Sequence, residues 1–147
     1  MGIYLDTCCW NRPGDDHRQA TIRDEAAAIL KITALSRMYG YTIYSSKALD
    51  EEINANPDAE KRAAAWKLYR RMAKARAKYN ESIFNHFLPM ARQAGIRGYD
   101  ALHLCYSIAA GASSLLTTDM QFLKVASRLV LPVSVINPLQ FNVGGVI

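Results

Sequence analysis

Short apolar runs alternate with longer segments of helical spacing along the whole chain. The apolar runs occupy residues 3–5, 41–44, 114–117 and 133–136. Turn-forming residues at 11–16 and a helix-ending glycine at Gly40 separate them from their neighbours, which is typical of short buried strands. Strands that alternate with helices form right-handed βαβ units around a parallel sheet covered on both faces. The sequence therefore predicts an α/β fold with a small parallel sheet.

The segments between and beside these strands predict six helices. Apolar residues at helical spacing, together with capping and stop signals, indicate helices at about 18–38, from Ser45 or Ser46 to about 53, and at about 61–78, 83–94, 99–110 and 119–127. Pro89 allows a bend in the fourth of them. The stretch that follows the first strand is rich in turn residues, so we expect a loop there.

The composition fits one compact domain spanning residues 1–147. Apolar residues make up 50% of the 147 positions, which is enough for one buried core, and the chain is too short for two. The three cysteines, two of them adjacent at Cys8 and Cys9, argue against a disulfide scaffold and fit a reducing compartment. No basic, apolar leader begins the sequence, and polar residues interrupt its most apolar stretch, 101–116. We expect a cytoplasmic protein with no membrane span.

The net charge of +5 is unevenly distributed. Residues 61–78 contain eight basic residues and no acidic one, so the rest of the chain is net negative. This block has the alanine content and apolar spacing of an amphipathic helix. Its basic face could follow the phosphates of a nucleic acid, receive an acidic protein, or simply be solvated. The candidate nucleic-acid-binding residues on that face are Lys67, Arg70, Arg71, Lys74 and Lys78.

Acidic residues recur just after the predicted strands or in the first turn of the next helix. They are Asp6, Glu51 or Glu52, Asp100 and Asp119. Because ligands bind beyond the carboxyl ends of parallel strands, we expect these carboxylates to converge on one edge of the sheet. Clustered like charges must be neutralised by protonation or by a cation. Oxygen ligands without a matching His or Cys set favour Mg²⁺ or Mn²⁺ over Zn²⁺.

Four segments of the chain resemble the successive motifs of PIN-domain nucleases. They are Tyr-Leu-Asp-Thr at 4–7, Ser46 with Glu-Ile at 52–53, Asp-Ala-Leu-His-Leu at 100–104, and Leu-Thr-Thr-Asp at 116–119 with Leu-Lys at 123–124. Their order and spacing span nearly the whole chain. The resemblance implies a three-layer α/β/α sandwich and a metal-dependent endoribonuclease. Many single-domain members of this size are toxins of toxin–antitoxin pairs.

The resemblance also implies roles for individual residues. Asp6, Asp100 and Asp119 match the aspartates that hold the metal, directly or through water. Glu52 matches the acid of the second motif. It is preferred to Glu51 because an aliphatic residue follows the family's glutamate, although an error in helix register would exchange the two.

Three further polar side chains lie in or beside these motifs. Thr118 is a candidate to hydrogen-bond the acidic cluster. Cys8 departs from the family, where Ser or Asn is common, and a thiol should orient a carboxylate more weakly. His103 lies one turn from Asp100, but its leucine-rich surroundings favour a packed role over a site role.

The resemblance implies RNA as substrate, a cognate antitoxin as possible partner and a homodimer. Two other functions remain open. One is a metal-dependent phosphatase that uses Asp6 as nucleophile, although the second Asp expected two residues later is Cys8. The other is a non-catalytic module whose acids are structural and whose basic helix binds nucleic acid.

Overall fold

The computed structural model describes residues 1–144 of the chain. Within this range the fold has five strands and seven α-helices. In chain order they are β1 (Gly2–Leu5), α1 (Thr7–Asn11), α2 (Ala20–Leu35), β2 (Thr42–Ser45), α3 (Lys47–Asn54), α4 (Ala59–Met72), β3 (Ala75–Arg76), α5 (Glu81–Ala94), α6 (Gly98–Ala109), β4 (Ser114–Leu116), α7 (Met120–Ala126) and β5 (Ser134–Ile136). No helix in this part of the chain is long and apolar enough to cross a membrane.

The five strands form one parallel sheet in the order β3-β2-β1-β4-β5. In the centre, Ile3 of β1 lies opposite Ile43 of β2 and Ser114 of β4. The chain moves towards β3 through α2 and α4, then crosses back to β4 and on to β5 through α5, α6 and α7. Right-handed crossovers in opposite directions put these two helix groups on opposite faces. The predicted α/β fold and three-layer sandwich are confirmed.

The sheet is buried between these helices. The central strands β1 and β4 contribute fully buried apolar side chains to the core, as does Ile43 of β2. Strands covered on both faces read as continuous apolar runs, which is why they stood out in the sequence. Gly95 ends α5 with a φ of 101°, a left-handed conformation that favours glycine. The helix runs through Pro89 to that point.

The prediction of one helix over 61–78 was wrong. Helix α4 ends at Met72, and the chain then enters the short edge strand β3. The Lys74 N–H donates to the Ile43 carbonyl at 3.0 Å, and the Ala77 N–H donates to the Ser45 carbonyl at 2.8 Å. Pairing with β2 therefore overrides the helical propensity of this alanine-rich segment. Lys74 and Lys78 lie outside the helix, on either side of β3.

The loop expected after the first strand was also partly wrong, because residues 7–11 form α1. The Asp6 side chain caps this helix by accepting a hydrogen bond from the Cys9 N–H at 3.2 Å. The side chains of Cys9 and Trp10 are buried. The turn-rich stretch follows as a 3-10 turn at Arg12–Gly14.

We predict that Leu115→Ala will lower the free energy of unfolding by about 2–5 kcal/mol, because truncating a fully buried leucine removes apolar contacts and leaves a cavity. The matched control is Leu30→Ala on α2, where the side chain is 46% exposed, and its effect should be well under half as large. Urea unfolding followed by circular dichroism measures both. Equal losses in the two variants would contradict the position of β4 in the core.

Candidate active site

The side chains of Asp6, Glu52, Asp100 and Asp119 line one pocket at the carboxyl edge of the sheet. The pocket has a volume of about 230 Å³. Its carboxylates come from four separate places in the sequence, the ends of β1 and β4 and the helices α3 and α6. The structure thus brings together all four acids singled out by the sequence.

Asp6 lies deepest and is only 2% exposed. Its backbone N–H donates to the Leu116 carbonyl at 3.0 Å, which ties the end of β1 to the end of β4. Its Oδ1 accepts from the Cys9 N–H and, at 2.6 Å, from the Cys8 thiol. Burial first, and then the neighbouring Cys8, raises the pKa of Asp6 well above its ordinary value. The pKa of the Cys8 thiol is lowered to about 6, by a hydrogen bond with Cys9 first and also by the one with Asp6, so Cys8 and Asp6 compete for one proton across this contact.

Asp119 follows β4 and caps α7, accepting from the N–H groups of Gln121 and Phe122 at 2.9 and 3.1 Å. Its own N–H donates to the Thr117 hydroxyl at 3.1 Å. The structure places the Thr118 hydroxyl elsewhere: it accepts from Arg12 at 2.7 Å, and within the described residues no hydrogen bond joins it to the four acids. The threonines that contact the acidic residues are Thr117, beside Asp119, and Thr7, beside Glu52.

Asp100 lies in the first turn of α6. Burial raises the pKa of its carboxyl, and the nearby charges of Asp6, Asp119 and Glu52 raise it further, to about 7. At neutral pH, and with no cation bound, this group is close to half protonated. The crowding of carboxylates expected from the sequence therefore has its largest effect on the pKa of Asp100.

The side chains of Glu52 and Glu51 have different neighbours. Glu52 lines the pocket, and its Oε1 lies 2.7 Å from His103 Nε2, whereas Glu51 is exposed and lies 3.4 Å from the Tyr99 hydroxyl. Burial acts to raise the pKa of Glu52, but hydrogen bonds from His103 and Thr7 lower it below its ordinary value. Glu52 is therefore ionised and oriented within the pocket.

His103 is fully buried and takes part in the site, contrary to the packed role that its apolar neighbours favoured. Its Nδ1 lies 2.7 Å from the Tyr4 hydroxyl, which lies 2.7 Å from the Ser46 hydroxyl. Burial raises the pKa of Tyr4 well above its ordinary value, so this hydroxyl keeps its proton and can donate to Nδ1. Nε2 is then the atom that donates to Glu52. A buried chain of hydrogen bonds fixes the imidazole and, through it, the carboxylate.

The same chain continues to the protein surface. The Ser46 N–H donates to the Tyr69 hydroxyl at 3.0 Å, and that hydroxyl donates to Asp50 at 2.7 Å. Asp50 is also held by Arg76 of β3 at 2.8 Å. The edge strand β3 therefore supports the site from a distance, although it contributes no side chain to the pocket.

Sulfur ligands also lie near Asp6. One ligand atom each from Asp6, Cys8 and Cys9 falls within 4.8 Å of the others, close enough to share a metal ion. The Cys9 thiol, however, donates to the Leu116 carbonyl at 3.3 Å, beneath the sheet edge. His17, the histidine nearest in sequence to these cysteines, is not part of this group of ligand atoms. It lies on the surface, with Nε2 3.1 Å from the Pro13 carbonyl. The oxygen atoms of the pocket are thus more accessible to an ion than the Cys9 sulfur.

Arg97 is a pocket residue that the sequence reasoning missed. It lies next to Asp100 and Asp119 both in the carboxylate pocket and in an adjoining pocket of about 380 Å³. Within residues 1–144 its guanidinium forms no salt bridge. A basic residue three positions before the motif aspartate was the available signal. An exposed arginine beside an acidic pocket can bind a phosphate group of a substrate.

The predicted basic face does not line this pocket. Lys67 and Arg70 are exposed on α4, where Arg70 lies 5.6 Å from the Trp66 ring centroid. Arg71 and Lys74 line a separate cleft, and Lys78 is exposed after β3. The termination of α4 at Met72 is the reason that the five residues do not share one face.

Comparison with known proteins agrees with this architecture. The model of the PIN domain family matches residues 3–128. No curated protein matches the chain by sequence. The crystal structure of VapBC2 from Rickettsia felis, bound to a DNA fragment from their promoter, is similar over 93% of this chain and 98% of that chain, with a TM-score of 0.62 and 16% identity. At that identity the likeness concerns the fold, whereas the family match covers most of the sequence. The chain belongs to the PIN domain family, a family of nucleases.

Proposed function

We propose that the protein is a divalent-metal-dependent endoribonuclease whose site consists of Asp6, Glu52, Asp100 and Asp119. The observation that carries this proposal is the convergence of four carboxylates in one pocket, where their mutual repulsion helps to raise the pKa of Asp100 to about 7. Membership of a nuclease family supports hydrolysis of a phosphodiester bond. RNA as the substrate is the more specific part of the proposal.

The pocket suits Mg²⁺ or Mn²⁺. Asp6, Asp100 and Asp119 offer carboxylate oxygens, the ligands preferred by these hard cations. Within the described residues, no basic side chain forms a salt bridge with any of the three. A dication would therefore remove the repulsion that the protein itself leaves uncompensated. The Cys8 sulfur lies beside Asp6 and lines the same pocket.

When bound, the metal would lower the pKa of a water molecule and stabilise negative charge on the phosphate. The protein's own groups would do the rest. Glu52, ionised and held by His103, accepts a hydrogen bond from the attacking water and orients it. Arg97 binds a non-bridging oxygen of the phosphate at the mouth of the pocket. Asp6 is buried and held by two donors, so it is poorly disposed to act as a phosphatase nucleophile.

We further propose that the protein is the toxin of a toxin–antitoxin pair, acting in the cytoplasm as a homodimer. Support comes from the family match and from the similarity of fold to VapBC2 of Rickettsia felis. A cognate antitoxin would then insert a basic side chain among the carboxylates, since a cation there offsets the same repulsion as a metal. Copurification from the native host with a small protein that blocks RNA cleavage tests this partner.

We predict that the purified protein will cleave single-stranded RNA with Mg²⁺ or Mn²⁺ and not with EDTA. Asp100→Asn should lower kcat/KM by roughly 100-fold or more, because the metal loses a charged ligand worth several kcal/mol in the transition state. The matched control, Asp24→Asn, changes an exposed aspartate on α2 and should leave the rate unchanged. Discontinuous cleavage assays with a labelled RNA measure these rates. Metal-independent RNA retention with no cleavage would instead favour the non-catalytic module.

The pKa of Asp100 predicts an unusual pH dependence of stability for the metal-free protein. An unfolded aspartate titrates near 3.9, so the folded protein binds the extra proton more tightly between that value and about 7. The free energy of unfolding should therefore fall as pH rises through this window and level off above it. Asp100→Asn should flatten the profile, and so should saturating Mg²⁺ in the wild-type protein. Urea unfolding in EDTA across pH 4–8 measures it; identical slopes for wild type and variant would contradict the crowding.

We predict that His103→Asn will lower kcat by roughly 10- to 100-fold, the usual loss when a supporting partner of a metal-site residue is removed. KM for RNA should change little, because His103 is buried and positions Glu52 without facing the substrate. His86→Asn, at an exposed histidine of α5, is the control. Circular dichroism checks that the variant is folded. A change in KM alone would argue against a positioning role.

A further inference from the structure

A second cleft, of about 430 Å³, lies at the opposite edge of the sheet from the carboxylates. Arg37 and Tyr41 line it just before β2, and Arg71 and Lys74 line it just before β3. The carboxylates, in contrast, follow the carboxyl ends of β1 and β4. In a parallel sheet the starts and ends of strands lie on opposite edges, so the cleft and the pocket are separate sites.

The three basic side chains of the cleft have no acidic counterpart. Apart from them, the cleft is lined by the polar residues Thr33, Ser36 and Tyr41 and by apolar residues, and none of its lining residues is acidic. Within residues 1–144, Arg37, Arg71 and Lys74 form no salt bridge. Other basic residues of the described chain do pair with carboxylates, namely Arg12, Arg18, Lys61 and Arg76. Three unpaired cations around one concavity create a positive potential that attracts a polyanion.

An aromatic surface adjoins these cations. Tyr39 stacks on Tyr41, with ring centroids 6.0 Å apart and an interplanar angle of 23°. Phe141 contacts Tyr41 in an edge arrangement, with ring centroids 5.6 Å apart. Tyr39 is 47% exposed, and Gly144 lies against one part of its ring, so the exposed remainder of the ring is the part that can contact a base. Cationic side chains beside a supported, exposed aromatic ring are the combination that binds single-stranded nucleic acid.

We propose that this cleft is a second binding site for single-stranded RNA, separate from the carboxylate pocket. Arg37, Arg71 and Lys74 contact successive phosphates, and a base stacks on Tyr39. An acidic protein would contact the same cations, but its carboxylates would not stack on the exposed part of the Tyr39 ring. The proposal rests on the proposed function in its choice of RNA, since it names where the substrate is held outside the site of cleavage.

A second site makes the affinity for RNA depend on the length of the RNA. Strand β2 has four residues, so the two edges of the sheet are about 13 Å apart along it, at 3.3 Å per residue. An RNA in the carboxylate pocket reaches the cleft only by passing around the helices or the edge of the sheet, a longer path than the strand itself. A longer RNA can occupy both, and its affinity then exceeds that of either site alone. Changes in the cleft should therefore affect long substrates more than short ones.

The test uses the full chain with Asp100→Asn, so that RNA is bound without being cut. In this background the substitutions Arg37→Ala, Arg71→Ala and Lys74→Ala are made together as the cleft triple. The control triple, Lys31→Ala, Arg92→Ala and Arg128→Ala, removes the same charge from exposed positions outside the cleft. Affinity for a single-stranded RNA of roughly 16 nucleotides and for one of about 4 is measured by fluorescence anisotropy over a range of salt.

We expect the cleft triple to weaken binding of the longer RNA by roughly 10- to 100-fold at low salt and to reduce the salt slope by about 2, as for three lost phosphate contacts on a single strand. The control triple should have a much smaller effect, and the cleft triple should weaken binding of the short RNA less than that of the longer one, because the short RNA cannot occupy both sites. Tyr39→Ala should weaken binding of the longer RNA at least about fivefold, because one stacked base is lost. Tyr39→Phe should bind this RNA as the parent protein does, because the ring is kept.

Equal losses in the two triples would overturn the proposal, since net charge alone would then explain the binding. Stronger binding of an acidic peptide than of RNA, lost in the cleft triple, would also overturn it in favour of a protein partner. Failure of the proposed function gives a different result. If the wild-type protein leaves RNA uncut while the cleft triple shows the expected binding losses, the cleft is supported as an RNA-binding site and the proposed nuclease activity is contradicted.

Discussion

The parallel pairing of β1 with β4 is the constraint on which the carboxylate pocket depends. The Asp6 N–H is bonded to the Leu116 carbonyl, so the first acid of the chain is held beside the segment that leads to Asp119. The two residues are more than a hundred positions apart in sequence. Helices α3 and α6 then bring Glu52 and Asp100 to the same edge. Without this pairing the four acids would be ordinary capping and surface residues.

A pocket of mutually repelling carboxylates needs a rigid support. Part of it is the buried chain from Glu52 through His103 and Tyr4 to Ser46, which satisfies every polar side chain that the core encloses along this path. Its hydrogen bonds join α3, α6, β1 and the start of α3 again. The crowding is thus sustained by hydrogen bonds within the fold, and it disposes the pocket to bind a cation.

Charge is divided between the two edges of the sheet. Acids follow the ends of β1 and β4, whereas the unpaired bases Arg37, Arg71 and Lys74 precede β2 and β3. The net charge of +5 is the sum over these unlike surfaces and hides the difference between them. An acidic pocket alone would repel a polyanion, and a basic surface at a distance offsets that repulsion without neutralising the pocket.

The sequence by itself determined the α/β class, the family motifs and the four acids, because strand ends and helix caps are local signals. It could not resolve the end of α4, where the ladder bonds of β3 to β2 compete with a strong helical propensity. Nor could it reveal His103 as a partner of Glu52, or Arg37 as a neighbour of Arg71, since these contacts join distant parts of the chain. Only the tertiary structure decided them, because they depend on which strands pair and which helix faces meet.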